Sequence, residues 1–246
     1  METITREEKP TERLARFEPF LRYLVDWEAG LEARPLAEVV REAGGPGGVA
    51  IHAIDLTVGF CSIGRLASPR IAAIVPAVEV LFRHAHELGV EKFVLPQDSH
   101  APDSPEFEEY GPHCIVGTEE SVTVPELQSL PFADQFVVVP KRSISTAVGT
   151  ELEAWLSAHP EATHHIVVGD CTDICVYQHA LYLKTRANAL GLEHEVIVPE
   201  ECVQTYDLPL DVAEEVGATP HDGDFLHLVF LYHMMLNGVR IVRRLE

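Results

Sequence analysis

Apolar residues recur at helical spacing near the start of the chain, at Leu14, Phe17, Phe20, Leu21, Leu24, Trp27 and Leu31. A stripe this apolar is expected to bury against its own domain or a neighbouring subunit. "GGPGG" at 44–48 then breaks the pattern, so residues 1–47 read as an N-terminal helical extension and residues 48–246 as the main domain. After the break the period alternates. "GVAIHAIDL" (48–56) is a short, nearly continuous apolar run, the mark of a strand buried on both faces. A helical pattern runs from about Ser68, with Pro69 in its first turn, to Gly89 near its end. "KFVLPQ", "QFVVVP", "HHIVVG" and "HEVIVP" predict four more strands, and "RIVRR" a last one. Helical segments are expected near 148–158, 175–190 and 221–237. Strands alternating with helices imply an α/β domain, a parallel sheet of five to six strands with helices on both faces. The stretch 98–134 is long, Pro-rich and irregular, and loops of that length in compact domains are usually functional.

Composition narrows the function. The 246 residues suit one large domain with an appendage, and 46% hydrophobic content is ample for a core. Lys and Arg number 18 against 39 Asp and Glu, a formal charge of -21. That balance argues against binding nucleic acid or an anionic membrane. The longest apolar run, "FLHLVFLYHMML", has only 12 residues and two histidines, so it reads as a core helix. The N-terminus has no apolar signal region, and five cysteines in a chain that needs no staples fit a reduced, cytoplasmic setting.

The chemistry collects at the strand ends, where parallel sheets bind ligands. Asp55 ends the first predicted strand, Asp98 and His100 follow the second, and Lys141 follows the third. "VVGDCTDICVYQHA" (167–180) follows the fourth. Within it, Cys175 falls at the predicted start of a helix, where the helix end and a nearby lysine lower a thiol's pKa. Free N–H groups there could hold an oxyanion. Two inert buried thiols are the plain alternative. A zinc site would want two more soft ligands at short spacing, and Cys61, Cys114 and Cys202 are scattered.

Asp55 in "AIDLTVGF", Lys141 in "VPKRSIS" and Cys175 in "GDCTDICV" together resemble the Asp-Lys-Cys triad of the isochorismatase-like cysteine hydrolases. The resemblance runs from about residue 49 to the C-terminus. It implies a three-layer α/β/α fold, a Cys175 nucleophile, and an oxyanion hole from the backbone N–H groups of Cys171 and Cys175, with a cis peptide at Asp170–Cys171. Within that family, "QDSHAPDSPEFEEYGPHCIVGTEES" is similar to the metal-binding segment of nicotinamidases. It implies Asp98, His100 and His113 as ligands of one divalent transition metal, zinc in first place with iron or manganese as alternatives. Glu106 would be the fourth ligand, or Ser104 in its stead. Two imidazoles with carboxylates suit such metals. Phe60 keeps the family's aromatic residue five places after Asp55 and is expected to touch the substrate. Thr57 and Ser99 stand where the family often has Gln and Trp, which bears on the ring bound and not on the triad. The resemblance thus implies a nicotinamidase acting through a thioester on a small-molecule amide, in a homo-oligomer. Another small-amide or N-carbamoyl hydrolase, or a non-catalytic ligand-binding module on this fold, is the alternative.

Overall fold

A computed structural model describes residues 9–246. The chain divides into two compact units, residues 1–31 and residues 32–246. In the first, α1 (Pro10–Ala29) begins with proline at a position where a missing N–H does no harm, and it stops at Gly30. Within the single chain its apolar stripe is buried at Leu24 and open toward its N-terminal end. Leu24 is 2% exposed, whereas Leu14, Phe17, Phe20 and Leu21 are all exposed.

The second unit starts earlier than the glycine break suggests. Helix α2 (Leu36–Glu42) puts Leu36, Val39 and Val40 into the main core. The segment before it is pinned to the C-terminus, with Arg34 N–H donating to Arg244 O and Leu36 N–H to Glu246 O. "GGPGG" is therefore a turn between α2 and β1, and the compact units divide at 31/32 rather than at that turn.

From there the chain runs β1 (Val49–Ile54), α3 (Val58–Cys61), α4 (Pro69–Ala72), α5 (Val75–Glu87), β2 (Phe93–Asp98), α6 (Phe107–Tyr110), α7 (Pro125–Gln128) and β3 (Phe136–Lys141). It continues through α8 (Leu152–Ala158), β4 (His164–Asp170), α9 (Cys175–Leu190), β5 (Glu195–Pro199), β6 (Val203–Gln204), α10 (Leu210–Val216), α11 (Gly223–Leu236) and β7 (Arg240–Val242). The single helix expected over 68–89 is two, because Pro76 cannot donate into a continuing helix and starts α5 afresh. The strands pair in the order β3-β2-β1-β4-β5-β7, every pairing parallel, with the two-residue β6 added beside the end of β4.

Alternation along the strands separates the two faces. Ile51 and Ala53 of β1 and Ile166 and Val168 of β4 join α5's Val78, Leu81 and Phe82 in one core. His52 and His165 face the other way, toward α8 and α9. β1 is buried throughout, as its apolar run predicted, but β3 is an edge strand and leaves Val137 and Val138 exposed. At Gly169 (φ 110) a Cβ would lie 2.0 Å from Ile54 O, so only glycine lets β4 approach β1 this closely, just before the cysteine segment. No helix among the described residues is long and apolar enough to cross a membrane.

Candidate active site

The strand order sets the site. β3, β2, β1 and β4 lie side by side, so Lys141, Asp98, Asp55 and the 170–175 turn emerge along one edge. Lys141 and Asp98 are register partners at the ends of β3 and β2. Just past the end of β1, Asp55 takes a left-handed turn (φ 54), a conformation that a short polar side chain tolerates. There its Oδ1 accepts a hydrogen bond from Asp98 N–H at 2.9 Å. Lys141 is fully buried, and its Nζ lies 2.8 Å from Asp55 Oδ2, 2.6 Å from Asp98 Oδ1 and 3.6 Å from Cys175 Sγ. Cys175 is the first residue of α9, so its N–H is one of the donors without an acceptor inside the helix. The peptide between Asp170 and Cys171 is cis.

One lysine between two buried carboxylates sorts their protons. Burial works against charge on Lys141, but Asp55, Cys175 and Asp98 outweigh it and hold the ammonium. Burial opposes charge on Asp98 as well, yet Lys141 and the flanking imidazoles hold it well below the usual carboxylate range. Asp55 is left with the weaker share. Burial, then the charge of Asp98, pushes its carboxyl up to about 6 against the pull of Lys141. The thiol differs from expectation. Burial raises Cys175 well above its ordinary value; Lys141 pulls it back, while Asp55 and Asp98 push it further up. The helix end and the lysine do not produce a resting thiolate, because burial beside two carboxyls wins.

Asp98, His100 and His113 offer ligand atoms within 4.8 Å of one another, and all three residues are buried. His100 Nε2 lies 3.3 Å from Asp98 Oδ1, and His113 Nε2 lies 3.5 Å from Asp98 Oδ2. Each imidazole is oriented by its other nitrogen, Nδ1 of His113 donating to Gly111 O at 2.8 Å and Nδ1 of His100 meeting Ser104 Oγ at 3.3 Å. Such outer partners aim a metal-binding histidine. Both Nε2 atoms thus face the Asp98 carboxylate, though His100 Nε2 makes no well-aligned hydrogen bond to it, and two imidazoles with a carboxylate fit a divalent transition metal. Glu106 lines the same cavity but stands outside this group, and Ser104 is engaged with His100. Phe60 is buried with its ring 5.7 Å from that of His113 and lines the cavity too.

Several neighbours were not singled out by sequence reasoning. The resemblance implies Asp98 only as a metal ligand, but in the fold it also shares Lys141 with Asp55. Asp173, inside the cysteine segment, pairs with His221 Nε2 at 2.8 Å, and Thr172 Oγ1 lies 2.8 Å from His227 Nδ1. Both contacts brace the turn that carries Cys175. Asp170, Tyr110 and Tyr206 line the cavity. Asp170 and Asp173 sat in plain view inside the motif, but nothing in spacing distinguishes a turn aspartate from a cavity wall.

A lysine, two carboxyls and a thiol thus converge beside a candidate metal group at the carboxyl edge of a parallel α/β sheet. The isochorismatase-domain family model matches residues 49–215. Nicotinamidase 1 of Arabidopsis thaliana is 33% identical over 214 residues, which cover 80% of this chain and 86% of that protein. Among solved structures, the nicotinamidase of Bacillus subtilis aligns with a TM-score of 0.61 and 25% identity, over 79% of this chain and 99% of that one. The pyrazinamidase of Pyrococcus horikoshii, in complex with zinc, aligns with a TM-score of 0.62 and 22% identity, over 80% and 99% of the two chains. The chain belongs to the isochorismatase family, as a nicotinamidase-like hydrolase.

Proposed function

We propose that the protein is a nicotinamidase, converting nicotinamide and water to nicotinate and ammonia. The observation that carries this reading is Lys141 Nζ, in contact with Asp55, Asp98 and Cys175 Sγ at once, with both imidazoles on Asp98. The 33% identity to the Arabidopsis nicotinamidase supports it, as do the aromatic walls Phe60 and Tyr110.

Because the Cys175 thiol is neutral at rest, attack needs a base. Asp55, pushed up to about 6, is mostly ionised at neutral pH and able to take the thiol proton. The sulfur adds to the carboxamide carbon, and the N–H groups of Cys171 and Cys175 hold the oxygen that gains charge. Asp55 gives the proton to the departing nitrogen, ammonia leaves, and a thioester remains. Water then attacks the thioester, Asp55 takes a proton from it, and the carboxylate and Cys175 thiol are released. Lys141 keeps Asp55 and Asp98 in place through these proton movements. A divalent metal held by Asp98, His100 and His113, with Glu106 or Ser104 alongside, would supply a Lewis-acidic anchor for the ring nitrogen, and zinc suits the donor set.

Ammonia release from nicotinamide, measured with and without chelator, tests the reading. Hydrolysis that chelation weakens, from protein carrying about one metal per chain by elemental analysis, is the expected result. Release from other small amides but none from nicotinamide would overturn the substrate; undiminished activity in metal-free protein would overturn the metal.

A further inference from the structure

Along the carboxyl edge of the sheet, neighbouring β2, β1 and β4 deliver three carboxyls in a row, Asp98, Asp55 and Asp170. Lys141 holds the first two. Asp170 is different. Its side chain is 1% exposed, yet it lines the cavity that contains Cys175. Its Oδ1 has no hydrogen-bond partner among the described residues, and its Oδ2 meets the Cys171 thiol at a loose 3.9 Å. A buried oxygen without a partner is unfavourable in the free protein and is satisfied when a ligand brings the missing group.

The cavity has room for that group. Its volume is about 720 Å³, within the range that encloses drug-sized ligands and far beyond one small ring with a carboxamide. The metal-binding group lies on the β2 side with Phe60 and Tyr110. Asp170 lies on the β4 side, with Cys171, Tyr206 and Leu208 along the wall. Nothing in the hydrolysis derived above uses this second side beyond the backbone of Cys171.

We propose that Asp170 is the floor of a second subsite, which takes an uncharged hydrogen-bonding substituent, a hydroxyl or a second carboxamide, on the amide substrate. The proposal rests on the amide-hydrolase reading and sharpens its substrate class. Burial first, and Asp55 next, push the Asp170 carboxyl well above the usual range, so it can donate as well as accept. Hydroxyls and carboxamides match that pairing. An anionic substituent would meet Asp55 and Asp98 nearby and is disfavoured.

The test compares kcat/KM for nicotinamide with that for the same ring carrying a hydroxyl or second carboxamide at each open position. At least one substituted amide should exceed nicotinamide. That preference should fall about tenfold in Asp170→Leu, the scale of a lost buried hydrogen bond, and less in Asp170→Asn, which keeps a donor and an acceptor. Wild-type protein preferring no substituted amide overturns the subsite, and so does a preference that Asp170→Leu leaves intact. Should no ring amide be hydrolysed, the nicotinamidase reading fails on its own. The subsite is then read by equilibrium binding of the same panel to Cys175→Ala protein, where absence of a substituent preference that depends on Asp170 overturns it.

Discussion

Two sets of buried polar side chains occupy this sheet, and they meet the cost of burial in opposite ways. At the strand ends, Lys141, Asp55 and Asp98 are packed within hydrogen-bonding distance and carry charge. Under α8 and α9, imidazoles form a seam. His52 Nε2 lies 3.0 Å from His165 Nδ1, His165 Nε2 lies 3.2 Å from His194 Nδ1, and the His52 ring sits 4.7 Å from that of His179. Burial lowers the pKa of His52, His165 and His179, the last to about 3, with neighbouring imidazoles adding to each shift. A neutral imidazole donates through one nitrogen and accepts through the other, so His52, His165 and His194 pair along the row without any ion, while His52 Nδ1 and His179 Nε2 have no partner among the described residues. At the strand ends charge survives because the neighbouring strand supplies its opposite, and that is where the proposed chemistry moves a proton.

The largest effect expected at the charged end is on the reaction itself. Cys175→Ala should reduce amide hydrolysis by about 10⁴-fold or more, as loss of a covalent nucleophile does elsewhere. Circular dichroism should be unchanged, because the substitution leaves every charge in place. Residual hydrolysis near the wild-type rate would move the nucleophile elsewhere.

Next comes stability. Lys141→Met leaves two buried carboxyls without their cation, and breaking such a set costs roughly 3–5 kcal/mol. Urea denaturation should register that loss along with inactivation. A variant as stable as wild type would mean that Asp55 and Asp98 are held by something other than the lysine, and the contrast with the histidine seam would collapse.

The seam responds to acid instead. A histidine whose folded pKa lies below the ordinary 6.5 contributes stability that is present above 6.5 and lost as pH falls toward the folded value. Unfolding free energy should therefore decline between about pH 6.5 and pH 4, by about 1.4 kcal/mol per pH unit for each imidazole excluded from protonation. Over the same range Asp55, raised to about 6, takes up a proton and loses its capacity as a base, so activity falls while that carboxyl itself favours the fold. Replacing His165 by Gln should flatten the stability slope and leave the acid limb of activity near pH 6. If both profiles shift together, the two clusters are one network.

The charged site was legible in the sequence and the seam was not, for a physical reason. Asp55, Asp98 and Lys141 each follow an apolar run, and parallel sheets bring such positions to one edge whatever the strand order. His52 and His165 meet only because β4 lies beside β1, an adjacency that no periodicity reveals. The same limit explains β6, whose two residues carry no period, and α2, whose short apolar pattern continues that of the extension although Leu36 and Val39 lie in the core. The Cys175 thiol shows a different limit. A helix start and a lysine are visible in a sequence, but the depth of burial that outweighs them is not.

The smallest effect expected is at the other cysteine of the motif. Cys171 lies at the cis peptide and lines the cavity, but its proposed contribution to hydrolysis is the backbone N–H, which alanine retains. Its sulfur makes a 3.9 Å contact with Asp170 Oδ2, too long to hold much energy. Burial, reinforced by Asp170, raises the Cys171 thiol well above its ordinary value, so it is a poor nucleophile. Cys171→Ala should therefore change kcat/KM on nicotinamide by no more than about two- to threefold, the scale of a weak contact. A loss comparable to that of Cys175→Ala, in protein with unchanged circular dichroism, would show that the Cys171 side chain takes part in the chemistry.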